Sequence, residues 1–433
     1  MLLGGAGVRG LRDSWSGRFG FILAAIASAV GLGSIWKFPY EVGANGGAAF
    51  VVFYIAGLAL AVVPLMLAEF AIGRRGGADA ATSIERVAAA HGAARGWMWA
   101  GVLGVVSGAL ILSFYSVIGG WTLAYTVSTA LAGLPGADAH AVQARYDALL
   151  ASPARMIAYH AVFLALAAAV VARGVSRGIE AASKVLMPVL VVLVAALAAY
   201  SAVQGDLRAT LAFLFSLDLE RFTAHAALEA LGLGFFSIGA GFGLMITYAA
   251  YAGPGIALGE AALVTVIVDT AISLLAGLAV FPLVFANGLD PASGPGLVFV
   301  TLPLAFARMP LGEAAAAGFF LLLFVAALAS AISMLELAVA LVTRRLGGSR
   351  PLAAAALGAA CFVAGLATVF SFNLWADWHP LGALADFAGW ALPESLLREE
   401  LRLGPAGARA LRWLLRWATP ALIVVTAAAP AFF

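Results

Sequence analysis

The chain has 433 residues, 64% of them hydrophobic and 11% charged, with a mean hydropathy of +1.03. Soluble domains are nearer half apolar and about a quarter charged, so a soluble enzyme, a secreted disulfide scaffold and a disordered chain are excluded. A net charge of +2 offers no footprint for nucleic acid. The single Cys361 excludes an internal disulfide and a cysteine-rich metal site, and the five histidines (His91, His140, His160, His225, His379) lack ligand spacing.

Residues 1–18 are rich in glycine and arginine (Arg9, Arg12, Arg18) and lack a small-residue cleavage site. The full-length apolar run that follows therefore reads as a first membrane helix and not as a removed signal. Apolar runs recur at 19–40, 46–73, 96–127, 156–172, 184–204, 228–251, 261–286, 311–343, 352–372 and 409–430, each near the length that crosses a bilayer. If the N-terminus is inside, the segments on its side hold 18 Lys and Arg and the opposite loops hold five. That bias predicts a cytoplasmic N-terminus. Placing 393–416 on the same side requires one more crossing, and the sole candidate is Pro380–Leu392, interrupted by Asp386. A helix of that length rises about 20 Å against a hydrocarbon core of about 30 Å. Either it crosses with help from Trp375 and Trp378, or the chain lacks a span there.

Runs one and six carry glycines at mid-span: Val30-Gly31-Leu32-Gly33-Ser34 and Ser237-Ile238-Gly239-Ala240-Gly241-Phe242-Gly243. Such glycines serve either close helix packing or an unwound backbone. Their matching positions, at the head of two five-run halves, point to an inverted repeat with a binding site near the midplane. Freed amides there face anions and freed carbonyls face cations. Lys37, Glu69 and Asp269 are the clear ionisable residues within spans, and intramembrane charges are functional candidates. Lys37 either snorkels from a helix end or acts at the site. Glu69 suits capping of unwound amides, and Asp269 suits a cation or proton site.

The first-run stretch from Arg18 to Pro39 is followed by Asn45-Gly46-Gly47, then Pro64-Leu65-Met66-Leu67-Ala68-Glu69 with Gly73-Arg74. Later come Phe235-Phe236-Ser237, Ile246-Thr247-Tyr248 with Tyr251, and the loop Pro291 to Pro303. In this order they resemble the neurotransmitter:sodium symporter family in its bacterial branch, over about residues 12 to 378 and again in the last helix.

The resemblance implies an all-α polytopic membrane fold of the leucine-transporter type: two inverted five-helix repeats plus a last helix, the tenth helix shortened. The implied division is a cytoplasmic tail 1–18, a first repeat 19–204, an extracellular loop 205–227, a second repeat 228–392, a cytoplasmic loop 393–408 and a last helix 409–433. An amino-acid substrate would place its carboxylate on the amides of Leu32 and Gly33 and on Tyr115. Its ammonium would meet carbonyls of Ala29, Phe236, Ser237 and Gly239, and its side chain would lie among Ile111, Phe236, Phe242, Ser330 and Met334. Gly31 stands where monoamine carriers place an aspartate, which favours amino acids over amines. Gly239 replaces a common serine and leaves room for a larger side chain.

A first sodium site would use Ala29, Ser34, Ser237 and Asp269, with Ser34 in place of the usual asparagine. Asp269 would supply the charge that chloride gives in animal relatives. The other chloride positions are Tyr54, Ser237 and Ser273, but Leu233 replaces a glutamine, so chloride dependence is not expected. A second sodium site would use carbonyls of Ala27, Val30 and Ala326 and the hydroxyl of Ser330. Ala329 replaces a ligating threonine, which predicts a weakened site. Lys37 and Phe236 stand at the extracellular gate. The acidic partner of Lys37 would lie in the shortened tenth helix. Arg12 and Trp15 stand at the intracellular gate, where the expected aspartate aligns with Arg344, a residue that would repel Arg12. Gly178 and Pro188 match a fifth-helix motif that permits unwinding.

The function expected is inward symport of an amino acid with sodium across a bacterial inner membrane, with the bilayer and a small molecule as partners and no nucleic acid. A non-transporting paralogue or a proton-coupled carrier are the alternatives. No Ser/His/Asp constellation, cysteine nucleophile or HExxH motif supports an enzyme.

Overall fold

The computed structural model describes residues 14–217, 223–291 and 296–374, and all regular structure among them is helical. In chain order the helices are α1 (Arg18–Ala29), α2 (Gly33–Ala44), α3 (Ala48–Gly76), α4 (Ala80–Ala90), α5 (Arg95–Ala132), α6 (Ala139–Leu150), α7 (Pro153–Ala172) and α8 (Val175–Gln204). They continue with α9 (Leu207–Phe215), α10 (Ala224–Ile238), α11 (Leu244–Ala250), α12 (Leu258–Ala286), α13 (Leu297–Ala307), α14 (Gly312–Arg345) and α15 (Arg350–Ser371). Among the described residues seven helices are long and apolar enough to cross a membrane, and the bent pair α1–α2 makes an eighth. Their outer faces carry exposed apolar side chains such as Leu60, Leu131 and Val192, as expected of surfaces that meet lipid and not water. The expected short span Pro380–Leu392, the loop 393–408, the last helix 409–433 and Arg12 lie outside the described residues.

Proline explains much of the helix geometry. Three wide five-residue turns end beside a proline: Gly33–Lys37 before Pro39 at the head of α2, Leu58–Val62 before Pro64 within α3, and Leu297–Thr301 before Pro303 at the head of α13. A proline ring offers no N–H and crowds the carbonyl four residues back, and a π-type turn relieves both problems.

The first span of each candidate half is set around a break. Val30 is extended (φ −74°, ψ 105°) and separates α1 from α2 with a bend of 51°. Between α10 and α11, Gly239, Gly241 and Gly243 have φ of 69°, 93° and 79°, conformations that side-chain-bearing residues rarely adopt.

The centre of the bundle is α14, buried along most of its length and packed chiefly on α5, with α8, α7 and α1 around it. Both ends above and below the breaks are covered. At one end the Trp15 indole N–H donates to the Tyr248 carbonyl at 2.8 Å, and its ring lies edge-on to Phe21, Tyr248 and Tyr251. At the other, Phe299 in the first turn of α13 is enclosed by Trp36, Trp121, Tyr125 and Tyr146.

The helix α8 begins nine residues before the apolar run that marked it. Its first turn, Val175–Glu180, is polar in sequence yet seats Glu180 almost wholly buried. Ser16 donates to that carboxylate from its N–H at 2.8 Å and from its hydroxyl, and Lys184 pairs with it at 2.6 Å. From Val175 to Gln204 the helix is continuous through Pro188. At Gly178 a Cβ would run into the Val170 carbonyl oxygen, so this glycine serves close packing on α7 in the state described.

Candidate functional site

The break in the first span leaves the amide of Leu32 without a helical carbonyl, and Tyr115 from α5 meets it: the Leu32 N–H donates to the Tyr115 hydroxyl at 3.2 Å. Ser330 from α14 reaches the same point, its hydroxyl 3.3 Å from the carbonyls of Ser28 and Val30. Gly31 sits between them. A Cβ there would collide with Ser330 Oγ and lie 2.9 Å from the Tyr115 hydroxyl, so any side chain at this position would have to displace both hydroxyls. A Cβ at Gly33 would lie 3.2 Å from the Phe236 ring.

The second break is held by Glu69 of α3. The N–H groups of Gly241 and Gly243 donate to its Oε1 at 2.8 and 3.3 Å. A carboxylate thus accepts from amides that the helix leaves unpaired, which is the role the sequence suggested for it. The backbone of this break and of α11 also approaches its neighbours closely: a Cβ at Gly104 would meet the Phe242 carbonyl oxygen and one at Gly73 the Ile246 carbonyl oxygen.

Beside both breaks, wholly buried, lies Asp269 of α12. Ser34 Oγ donates to its Oδ1 at 2.6 Å, Ser237 Oγ lies 3.1 and 3.0 Å from its two oxygens, and Tyr54 donates to Oδ2 at 3.2 Å. Ser34 and Ser237 touch each other at 2.8 Å. One turn along α12, the buried Ser273 hydroxyl has no partner among the described residues. The donor set is hydroxyls and one carboxylate, all hard oxygens, with one formal negative charge. That chemistry fits a small hard cation. The shorter Ser34 side chain still reaches the carboxylate, because the α1–α2 bend brings the head of α2 against α12.

A cavity lies between the two breaks and meets the Asp269 cluster at Ser237. Ala29, Gly31, Leu32, Gly33, Ile111, Tyr115, Phe236, Ser237, Gly239, Phe242, Ser330 and Met334, the twelve residues that the resemblance assigns to substrate, all line it. Ser28, Gly108, Leu244 and Leu337 line it too. Ser28 falls within the first quoted stretch; Gly108, Leu244 and Leu337 lie outside the quoted motifs, and helical register to Tyr115 on α5 and to Ser330 on α14 could have marked Gly108 and Leu337. Ala27, Val30 and Ala326 are buried nearby, as is Ala329 beside Ser330.

The gate positions are rearranged. Lys37 pairs with Glu41 one turn on at 3.6 Å, and its ammonium lies 5.8 Å from the centre of the Phe236 ring. Arg344 pairs with the buried Asp79, the N-cap of α4, at 3.7 Å, and Arg345 with Glu85 of α4 at 3.8 Å. The residue expected only to repel Arg12 therefore has a carboxylate of its own. The sequence reading also missed Glu336, which is fully buried on α14, accepts from the Tyr251 hydroxyl at 2.7 Å and pairs with Arg350. Its place near the end of a long apolar run hid it.

The profile of the sodium:neurotransmitter symporter family matches residues 12–148 and 147–375. An uncharacterized sodium-dependent transporter of Bacillus subtilis, YhdH, is 36% identical over 86% of this chain and 83% of its own. A sodium-dependent transporter of Methanocaldococcus jannaschii is 32% identical over 90% of this chain and 80% of its own. Among solved structures, that of MhsT in complex with L-phenylalanine is 38% identical, with a TM-score of 0.79 over 96% of this chain and 99% of that one.

Proposed function

The chain belongs to the sodium:neurotransmitter symporter family, a family of transporters and not enzymes, and from that premise we propose that this multi-pass, sodium-dependent transporter carries an amino acid inward by alternating access. The observation that carries the reading is the Tyr115 hydroxyl on the Leu32 amide, inside a cavity that shares Ser237 with the Asp269 cluster. A substrate carboxylate would take the place of that contact, held by the Leu32 and Gly33 amides at the head of α2, where the helix dipole favours an anion. The ammonium would face carbonyls of Ala29, Phe236, Ser237 and Gly239. The lack of room at Gly31 supports a substrate that brings its own carboxylate, and the MhsT structure holds such a ligand, L-phenylalanine.

Sodium would be held at a first site by Ala29, Ser34, Ser237 and Asp269, and at a weaker second site by Ala27, Val30, Ala326 and Ser330. Its chemistry is charge alone: the ion stabilises the broken backbone of both spans. Coupling follows because ion and substrate select the same backbone conformation, and each raises the population that binds the other. Asp269 supplies the fixed negative charge, so chloride is not needed. Trp15, with Arg12 as the resemblance implies, would serve the cytoplasmic gate, and Lys37 with Phe236 the extracellular one. Gly178 and Pro188 mark where α8 would unwind for release. The location proposed is the cytoplasmic membrane with the N-terminus inside.

Uptake of radiolabelled amino acids into proteoliposomes, with and without a sodium gradient, tests this. Accumulation driven by sodium is the expected outcome. Accumulation driven only by a pH gradient selects proton coupling, and none with a folded protein selects a non-transporting relative.

A further inference from the structure

The leading end of α1 is fastened by contacts of different kinds. The Trp15 N–H donates to the Tyr251 carbonyl at 3.3 Å and its indole N–H to the Tyr248 carbonyl at 2.8 Å, both backbone groups at the end of α11. Arg18 pairs with Glu260 of α12 at the surface, where both side chains are half-exposed and such a pair holds little. Glu180 is different: it is buried, it belongs to the first turn of α8, and it accepts from the N–H and the hydroxyl of Ser16. Gly17 starts α1 without a side-chain cap, so a carboxylate borrowed from another helix sits at the positive end of α1. A Cβ at Gly20, in that first turn, would run into the Glu180 side chain, so this glycine gives the carboxylate its seat. Arg344 is turned to Asp79 and offers the N-terminal segment no carboxylate, whereas Glu180 offers one. Glu180 also closes the wide turn Val175–Glu180, two residues after Gly178, which packs against the Val170 carbonyl of α7. It reaches Ser16 only while that turn is wound.

We propose that Glu180 latches the leading end of α1 to the first turn of α8 through Ser16, so that unwinding of that turn and release of Trp15–Gly20 are one event. The inference rests on the alternating-access reading above, in which both belong to opening toward the cytoplasm. Lys184, one turn along α8, pairs with the same carboxylate at 2.6 Å, so Glu180 keeps a partner charge when Ser16 leaves.

The test is amide hydrogen exchange, read by mass spectrometry on purified protein in lipid nanodiscs, over the segments 14–24 and 173–184. The parent is compared with Ser16→Ala, Glu180→Gln, Gly178→Ala and Glu260→Gln. Ser16→Ala removes one hydroxyl at an exposed position, yet it speeds exchange in 173–184, on another helix, about threefold, the scale of one hydrogen bond. Gly178→Ala displaces the first turn of α8 and, by reciprocity, speeds exchange in 14–24. Glu180→Gln keeps the size of the side chain and loses its charge, and it speeds both segments about tenfold, the scale of a charge-assisted bond. Glu260→Gln breaks the surface pair on the same helix end and leaves 173–184 unchanged. Should Glu180→Gln or Gly178→Ala not fold, Ser16→Ala decides. Exchange in 173–184 that Ser16→Ala leaves unmoved overturns the latch. A shift there in Glu260→Gln equal to that of Ser16→Ala overturns it too, since any fraying of α1 would then suffice. Exchange is read without uptake, so either result leaves the transport reading standing. Coupled exchange in a parent that takes up no amino acid upholds the latch while that reading fails.

Discussion

The hydroxyl of Ser34 donates to the carboxylate of Asp269 at 2.6 Å, a contact between residues 235 positions apart. It ties the head of α2 to the middle of α12 and makes the broken first span a wall of the ion cluster. Because Ser237 from the second break joins the same carboxylate, one acidic group senses the position of both breaks.

That carboxylate predicts how the protein responds to anions. Replacing chloride with gluconate leaves uptake unchanged in the parent, because Asp269 already carries the negative charge. Asp269→Asn removes the charge while keeping an oxygen and the shape. Uptake then falls at least tenfold, roughly the effect of one lost charge-assisted interaction, or becomes dependent on chloride. A parent that needs chloride would contradict the assignment.

The substrate end of the site predicts a loss of binding. In Gly33→Val a branched side chain meets the Phe236 ring and the backbone beside Ser237, which already lie 3.2 and 3.3 Å from the first added carbon. It also covers the amide that the substrate carboxylate needs. Binding of labelled amino acid, measured by scintillation proximity on purified protein, should fall below detection while the protein still elutes as a folded species. Unchanged affinity would remove the carboxylate site from this break.

The buried carboxylate missed in the sequence has a measurable weight. Arg350→Ala leaves Glu336, which is fully buried, without its ion pair. Breaking one side of a buried pair costs about 3 kcal/mol. Glu336→Gln together with Arg350→Ala recovers much of that, because a neutral amide needs no counter-charge and still accepts from Tyr251. Thermal unfolding in detergent of the two single variants and the double variant gives the coupling. Additive losses would mean that the pair is not coupled.

The broken spans were legible because glycine at mid-span is a local signal, and so were Glu69 and Asp269, because charge in an apolar run stands out. The positions of Ile111, Met334 and Ser330 were legible only through resemblance; in composition they are ordinary helix-packing residues. Glu180 and Glu336 were not legible, since each lies near the polar end of a span where a solvated carboxylate is commonplace. Burial there comes from partners distant in sequence: Ser16 for Glu180, Tyr251 for Glu336. The rearrangement of Arg344 onto Asp79 was hidden for the same reason, because helix α4 comes from a loop that the hydropathy pattern left blank.

The second sodium site gives the last prediction. Ser330 keeps one hydroxyl beside the Val30 carbonyl, 3.3 Å away, while its neighbour Ala329, buried on the same helix, offers none. A sodium ion there would draw on Ser330 and on backbone carbonyls of Ala27, Val30 and Ala326, one oxygen short of what a hard cation prefers. A missing polar partner in a buried site costs about 1 to 3 kcal/mol, which is about a ten- to hundredfold loss of sodium affinity. Ala329→Thr adds a hydroxyl at little extra volume. Sodium affinity should rise by that factor, and uptake should reach half its maximum at lower sodium. Turnover should slow, since the state that holds the ion is favoured over the one that releases it. Half-saturating sodium, measured for uptake in parent and variant, decides between the outcomes. No change, or a rise, would mean that sodium does not use this site.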